Sequence, residues 1–279
     1  MPPPMNAQAD KAERFRALHQ REGAFIIPNP WGVGSARLLE ALGFEALATT
    51  SSGFAYSLGK VDGEVTLEEM LDHCRAMAAA THLPVSADLE NGYGDDPETV
   101  ARTITRAGDA GVVGASIEDY SGLGSQSIYD FGLAVERVSA AVEAARARPH
   151  PFTLTARAEN LLRGRDDLDD TLRRLQAFDA AGADVLYAPG LTTLEQVATV
   201  TASVAKPVNV LATMLDGVTV EQLANVGAKR LSIGGALARA ALTPVLDAAT
   251  EMLERGRFGW TSTLASSATI DALLAKLDR

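Results

Sequence analysis

Three observations predict an α/β fold of the TIM type, a (β/α)8 barrel with extra C-terminal helices. Eight short apolar or β-branched runs alternate with longer Ala-rich amphipathic segments, the pattern of parallel strands joined by crossover helices. The chain has 279 residues, a length at which one barrel closes. Polar and charged residues collect at the C-terminal end of one run after another, where such a barrel carries its reacting groups. A doubly wound open sheet gives a similar alternation, and the count of eight favours the barrel.

A helix over 7–22 opens the chain, and the expected strands are 25–28, 46–50, 85–88, 112–118, 152–156, 185–187, 208–211 and 231–233. Between them, 66–81, 96–110, 132–148, 168–181 and 193–204 each gather an apolar stripe on one side and Glu, Arg or Asp on the other. Gly43, Gly111, Gly182 and Gly227 stand where a helix ends just before a strand. Beyond the eighth strand come a helix over 237–255, a break at 256–260 and a last helix over 266–277. A single domain over 1–279 is expected. Its 256–279 extension, with Trp260, Leu264, Ile270, Leu273, Leu274 and Leu277, is expected to cover the barrel bottom or to pack on a partner subunit of a dimer or tetramer.

Composition narrows the function classes. The hydrophobic fraction is 47%, and no apolar run approaches the ~20 residues that span a bilayer, which argues against a membrane protein. Residues 1–10 are Pro-rich and then polar, without the basic and apolar regions of a secretory signal, so the expected compartment is the cytoplasm. The net charge of −11 opposes attraction to nucleic acid or to acidic membrane surfaces. The lone cysteine, Cys74, falls on the apolar side of a helical pattern and reads as a buried, inert thiol.

The chemistry centres on 86–97, SADLENGYGDDP. Asp88 and Glu90 follow a short apolar run two residues apart, so on an extended strand both carboxylates face the same side. Hard oxygen donors select Mg²⁺, or Mn²⁺, over zinc, and Asp62 and Glu118 at neighbouring strand ends can complete a carboxylate ring that holds the ion partly through water. Arg157, after the fifth strand, offers a planar fork to a substrate carboxylate or phosphonate. Ser52 and Gly53, with Phe54 beside them, bring small residues and backbone amides to an anionic oxygen, and Asn209 closes the set after strand seven.

At these residues a resemblance emerges. The segments 50–53 (TSSG), 58–62 with Asp62, 87–94 (ADLENGYG), 116–119 (SIED) and 155–159 (TARAE) look like those of the isocitrate lyase and phosphoenolpyruvate mutase superfamily, over roughly 29–255. The resemblance implies a TIM-type barrel, Mg²⁺, and chemistry through the enolate of a 2-oxo acid, often in tetramers whose terminal helix packs on a partner. By position Asp88 resembles the direct metal ligand, Asp62, Glu90 and Glu118 the water-mediated ligands, Arg157 the carboxylate clamp, and Ser52 with Gly53 the oxo-acid cradle. The second acidic position, usually Asp in the family, is Glu90 here. The loop after strand four departs further. Family lyases carry Lys-Lys-Cys-Gly-His there and phosphonate enzymes Lys and Asn, whereas 120–127 reads YSGLGSQS.

The expected function is therefore a Mg²⁺-dependent lyase acting on a small 2-oxo or 2-hydroxy dicarboxylate, by C–C cleavage or decarboxylation. Tyr120, Ser125 or Gln126 then position the proton donor, with Arg157, Glu118 and Ser52 as the other catalytic residues. Phosphorus–carbon chemistry of the phosphonopyruvate kind, and noncatalytic binding of a 2-oxo acid, stand as alternatives.

Overall fold

The computed structural model describes residues 5–122 and 128–277. Its eight strands are β1 (Phe25–Ile27), β2 (Leu47–Ala48), β3 (Val85–Asp88), β4 (Gly114–Glu118), β5 (Thr153–Arg157), β6 (Val185–Tyr187), β7 (Val208–Leu211) and β8 (Ala228–Ser232). All are parallel, in the order β1-β8-β7-β6-β5-β4-β3-β2. Across the seam between β1 and β2, Ala48 N donates to Pro28 O at 3.1 Å, so the sheet wraps into the predicted barrel.

The helices are α1 (Met5–Gln20), α2 (Val33–Ala41), α3 (Ser51–Ser57), α4 (Leu67–Ala80), α5 (Pro97–Asp109), α6 (Phe131–Arg146), α7 (Leu168–Ala180), α8 (Leu194–Ser203), α9 (Val220–Asn225), α10 (Ala236–Arg255) and α11 (Ser267–Leu274). Side-chain caps start several of them: Thr66 with Glu69, Thr193 with Gln196 and Thr219 with Gln222 form reciprocal capping boxes, and Asp96 accepts from Thr99 N before Pro97 at the first turn. Each cap contributes about 1 kcal/mol. The short helices α2, α3 and α9 carry too few turns for their periodicity to stand out in the sequence.

Two expectations change. Strand β8 begins at Ala228 rather than at 231, because Lys229 and Arg230 hide its apolar character; Lys229 turns outward to donate to Gly23 O while Arg230 turns into the barrel. The barrel bottom is covered by α1, not by the C-terminal extension: Phe15 and Leu18 pack with Phe25, Ile27, Ala46 and Val113 in a cluster of their own. Gly114 is needed there, since a Cβ would stand 2.9 Å from the Phe15 ring. Within the extension α11 packs against α2, and α10 before it packs against α3. Among the described residues no helix is long and apolar enough to cross a membrane.

Candidate active site

A cavity of about 580 Å³ opens at the C-terminal ends of the strands. Asp62, Asp88, Glu90, Glu118, Arg157, Ser52, Asn209 and Tyr120 all line it, so the barrel gathers residues that the sequence spreads from 52 to 209.

Asp88, the last residue of β3, is held from three sides. Its Oδ2 accepts from Ser51 N at 3.1 Å, and its Oδ1 accepts from Ser116 Oγ at 3.3 Å and from Arg157 Nη1 at 2.9 Å. The extended Asp-x-Glu geometry does not survive. The strand stops at Asp88, and Glu90 and Tyr93 take left-handed backbone angles, φ 49° and 61°. Each such residue costs on the order of 1–2 kcal/mol, here in a turn fastened by Gly92 N to Leu89 O and Glu118 N to Glu90 O. Glu90 still faces Asp88 because the turn folds back over the cavity, where Tyr93 Oη donates to its Oε1 at 3.4 Å.

Like charges meet there. Burial, then the charges of Asp88 and Asp62, push the Glu90 carboxyl up to about 7. Asp62 is raised by burial and by Asp88, against a hydrogen bond from Ser51. Glu118, only 8% exposed, is raised well above the ordinary range by burial and by Glu159, with Arg157 opposing. Burial would lower Arg157, yet Glu159, Glu118 and Asp88 outweigh it and hold the guanidinium firmly protonated. Arg157 reaches those three carboxylates at 2.8, 2.9 and 2.9 Å.

The residues fit a hard divalent cation. Asp62, Asp88 and Glu90 present oxygen donors that repel one another across a cavity, and a cation relieves that repulsion. Among the described residues no three acidic, His or Cys side chains converge as a ready cage, since Arg157 lies between Asp88 and Glu118. Mg²⁺ asks for no such cage, since it takes one or two carboxylates directly and reaches others through water.

The expected cradle is rearranged. Ser52 lines the cavity, with its Oγ 3.2 Å from Thr50 Oγ1. Gly53 does not line it: its N donates to the capping Thr50 Oγ1, and a Cβ would stand 2.7 Å from Thr50 Cγ2, 3.0 Å from Trp31 and 3.1 Å from Ala238. Gly53 is thus a packing position. Phe54 likewise turns away, stacked on His73 with ring centroids 3.9 Å apart. Asn209 is fully buried, its amide donating to Ser232 Oγ and accepting from Arg230 Nε. Tyr120 lines the mouth with its ring under Arg163, 3.7 Å away. Ser125 and Gln126 lie outside the described residues.

Several supporting residues escaped the sequence reading. Arg163 pairs with Glu118 and Glu159 from the loop after β5. Arg137 on α6 is buried over the Tyr129 ring and donates to the carbonyls of Asn91, Gly94 and Asp95, which pins the loop after β3. Arg174 on α7 ties Asp119 and Tyr129 O at 3.0 Å each. Helix-borne arginines carry no local signal that sets them apart from solvated ones.

Comparison with known proteins bears on the family and the fold. The family model for phosphoenolpyruvate phosphomutase matches residues 15–253. A crystal structure of a candidate lyase or mutase from Burkholderia cenocepacia J2315 is 56% identical, with TM-score 0.93 over 97% of each chain. Oxaloacetate decarboxylase of Paraburkholderia xenovorans is 32% identical over 70% of this chain and 66% of its own length. Oxaloacetate acetylhydrolase in complex with oxalate is 26% identical, with TM-score 0.85 over 96% of this chain and 95% of the other. The motifs at the strand ends, the barrel that brings them together and a family model spanning most of the chain agree: this protein belongs to the phosphoenolpyruvate phosphomutase family, within the isocitrate lyase and phosphoenolpyruvate mutase superfamily.

Proposed function

We propose that this protein is a Mg²⁺-dependent lyase that acts on a small 2-oxo or 2-hydroxy dicarboxylate, by decarboxylation or C–C cleavage through an enolate. The observation that carries the reading is the opposition of Asp62, Asp88 and Glu90 across the cavity, beside a guanidinium already anchored by three carboxylates. Relatives named for oxaloacetate chemistry support the substrate class.

In this reading Asp88 would be the direct ligand of the ion, and Asp62, Glu90 and Glu118 would hold it through water. Bound by these residues, Mg²⁺ would supply Lewis acidity to a 2-oxo group. Arg157 fixes Asp88 and Glu118 in place and turns its remaining donor capacity to a substrate carboxylate. Ser52 Oγ offers a hydrogen bond from the opposite wall, and Tyr120 at the mouth positions the proton donor. The decisive experiment is a panel of pyruvate, oxaloacetate, 2-oxoglutarate, isocitrate, methylisocitrate and phosphonopyruvate, with Mg²⁺ or EDTA, following heat of binding and product. Metal-dependent turnover of a dicarboxylate supports the reading, a phosphonate-derived product replaces it with phosphorus–carbon chemistry, and binding without turnover leaves a binding protein.

The same reading extends to assembly. Val245, Leu246, Leu253, Phe258 and Leu264 are exposed along α10 and the segment after it, with Leu253 at 87%. A second copy of the chain is the proposed cover for this face, in a dimer or tetramer.

A further inference from the structure

The cavity holds two buried guanidinium groups in opposite situations. Arg157 at the end of β5 is met by three carboxylates. Arg230 on β8, 5% exposed, has no carboxylate within ion-pair distance among the described residues. Neutral oxygens hold two of its nitrogens: Nε donates to Asn209 Oδ1 at 2.8 Å and Nη2 to Thr155 Oγ1 at 2.9 Å. Its Nη1 is buried without a hydrogen-bond partner. A buried cation is expensive unless an anion compensates it, and a buried donor without an acceptor adds to that cost. The fork is nevertheless held rigidly from two sides, and the Arg230 side chain is part of the cavity lining.

We propose that the Arg230 guanidinium, which lines the cavity without a carboxylate partner among the described residues, binds the second carboxylate of a four-carbon dicarboxylate at the cavity floor, and so makes the site select diacids over monoacids. This rests on the 2-oxo or 2-hydroxy acid reading above and deepens it. Thr155, which fixes Arg230, lies two residues before Arg157 on the same strand, one inward-facing layer deeper, about 6.6 Å along the strand. A four-carbon diacid whose first carboxylate sits at the level of Arg157 and Asp88 extends its other end toward that layer. Asn209 acts here as a positioning residue, since its amide orients Arg230.

The test compares malate with 2-hydroxybutyrate, which has the same number of carbons and a methyl in place of the second carboxylate. Each is titrated into the full-length protein with saturating Mg²⁺, by calorimetry. A charge-assisted hydrogen bond of roughly 1.5–3 kcal/mol corresponds to a preference for malate of about ten- to a hundredfold. Arg230→Gln is expected to abolish that preference by weakening malate far more than 2-hydroxybutyrate. Arg230→Lys is expected to keep part of it. If Arg230→Gln fails to fold by thermal unfolding, Arg230→Lys decides the matter, and an undiminished preference in it overturns the proposal. So does a wild type without preference, or an Arg230→Gln variant that weakens both ligands equally, which marks a structural role. A wild type that binds neither acid defeats the underlying 2-oxo or 2-hydroxy acid reading itself, and this inference with it.

Discussion

Arg157 Nη1 lies 2.9 Å from Asp88 Oδ1, and this contact joins the end of β5 to the end of β3 across the intervening strand β4. Because Arg157 also holds Glu118 and Glu159, its guanidinium fixes the spacing of the acidic residues before any ligand arrives. Arg157→Lys keeps one charge and loses the fork. It is expected to weaken Mg²⁺-dependent binding of a 2-oxo acid about tenfold or more, with the fold retained by circular dichroism. An unchanged dissociation constant would assign the carboxylate to another residue.

The Glu90 carboxyl, raised to about 7 by burial and by Asp88 and Asp62, ties metal binding to pH. A carboxyl with a raised folded-state pKa keeps its proton below that pKa, and there a cation must displace the proton. Above it, the carboxylate is ionised and repelled by its neighbours, and a cation relieves the repulsion. The rise in Tm on adding Mg²⁺ is therefore expected to grow from about pH 6 to about pH 8. Glu90→Gln is expected to flatten that growth; an equal pH dependence in the variant would place the proton elsewhere.

Gly53→Ala separates packing from ligand contact. The added Cβ meets Thr50 and backs onto Trp31 and Ala238, so α3 must shift. Destabilisation of about 1–3 kcal/mol is expected in urea unfolding. Full stability with lost ligand affinity would restore Gly53 to the cradle.

Leu253→Glu places a charge on the exposed face of α10. Light scattering is expected to show a wild-type oligomer that the variant shifts toward monomer; a monomeric wild type would leave that face without a second copy.

Much of the fold was legible because eight apolar runs and capped helices repeat one unit, and the reacting residues sit where that unit ends. Asp62, Asp88, Glu90, Glu118 and Arg157 were singled out because charged residues recur at the ends of successive strands, and the barrel brings all five to one cavity. Gly53 and Phe54 were misplaced because α3 starts only two residues after β2, which turns two residues that read as loop into the packed side of a helix. Arg230 stayed hidden because two adjacent basic residues read as the approach to a strand, and only the barrel shows which of the two points inward. Arg137 and Arg174 look like surface charges until tertiary contacts bury them.

The most direct test is calorimetric titration of oxaloacetate, with product release measured above the protein-free rate, into wild type and Asp88→Asn with Mg²⁺ or EDTA. Asn keeps the shape of Asp88 and removes its charge. The expected result is binding and turnover in the wild type that vanish both with EDTA and with Asp88→Asn. Binding that survives either change would contradict a metal-dependent site built on Asp88.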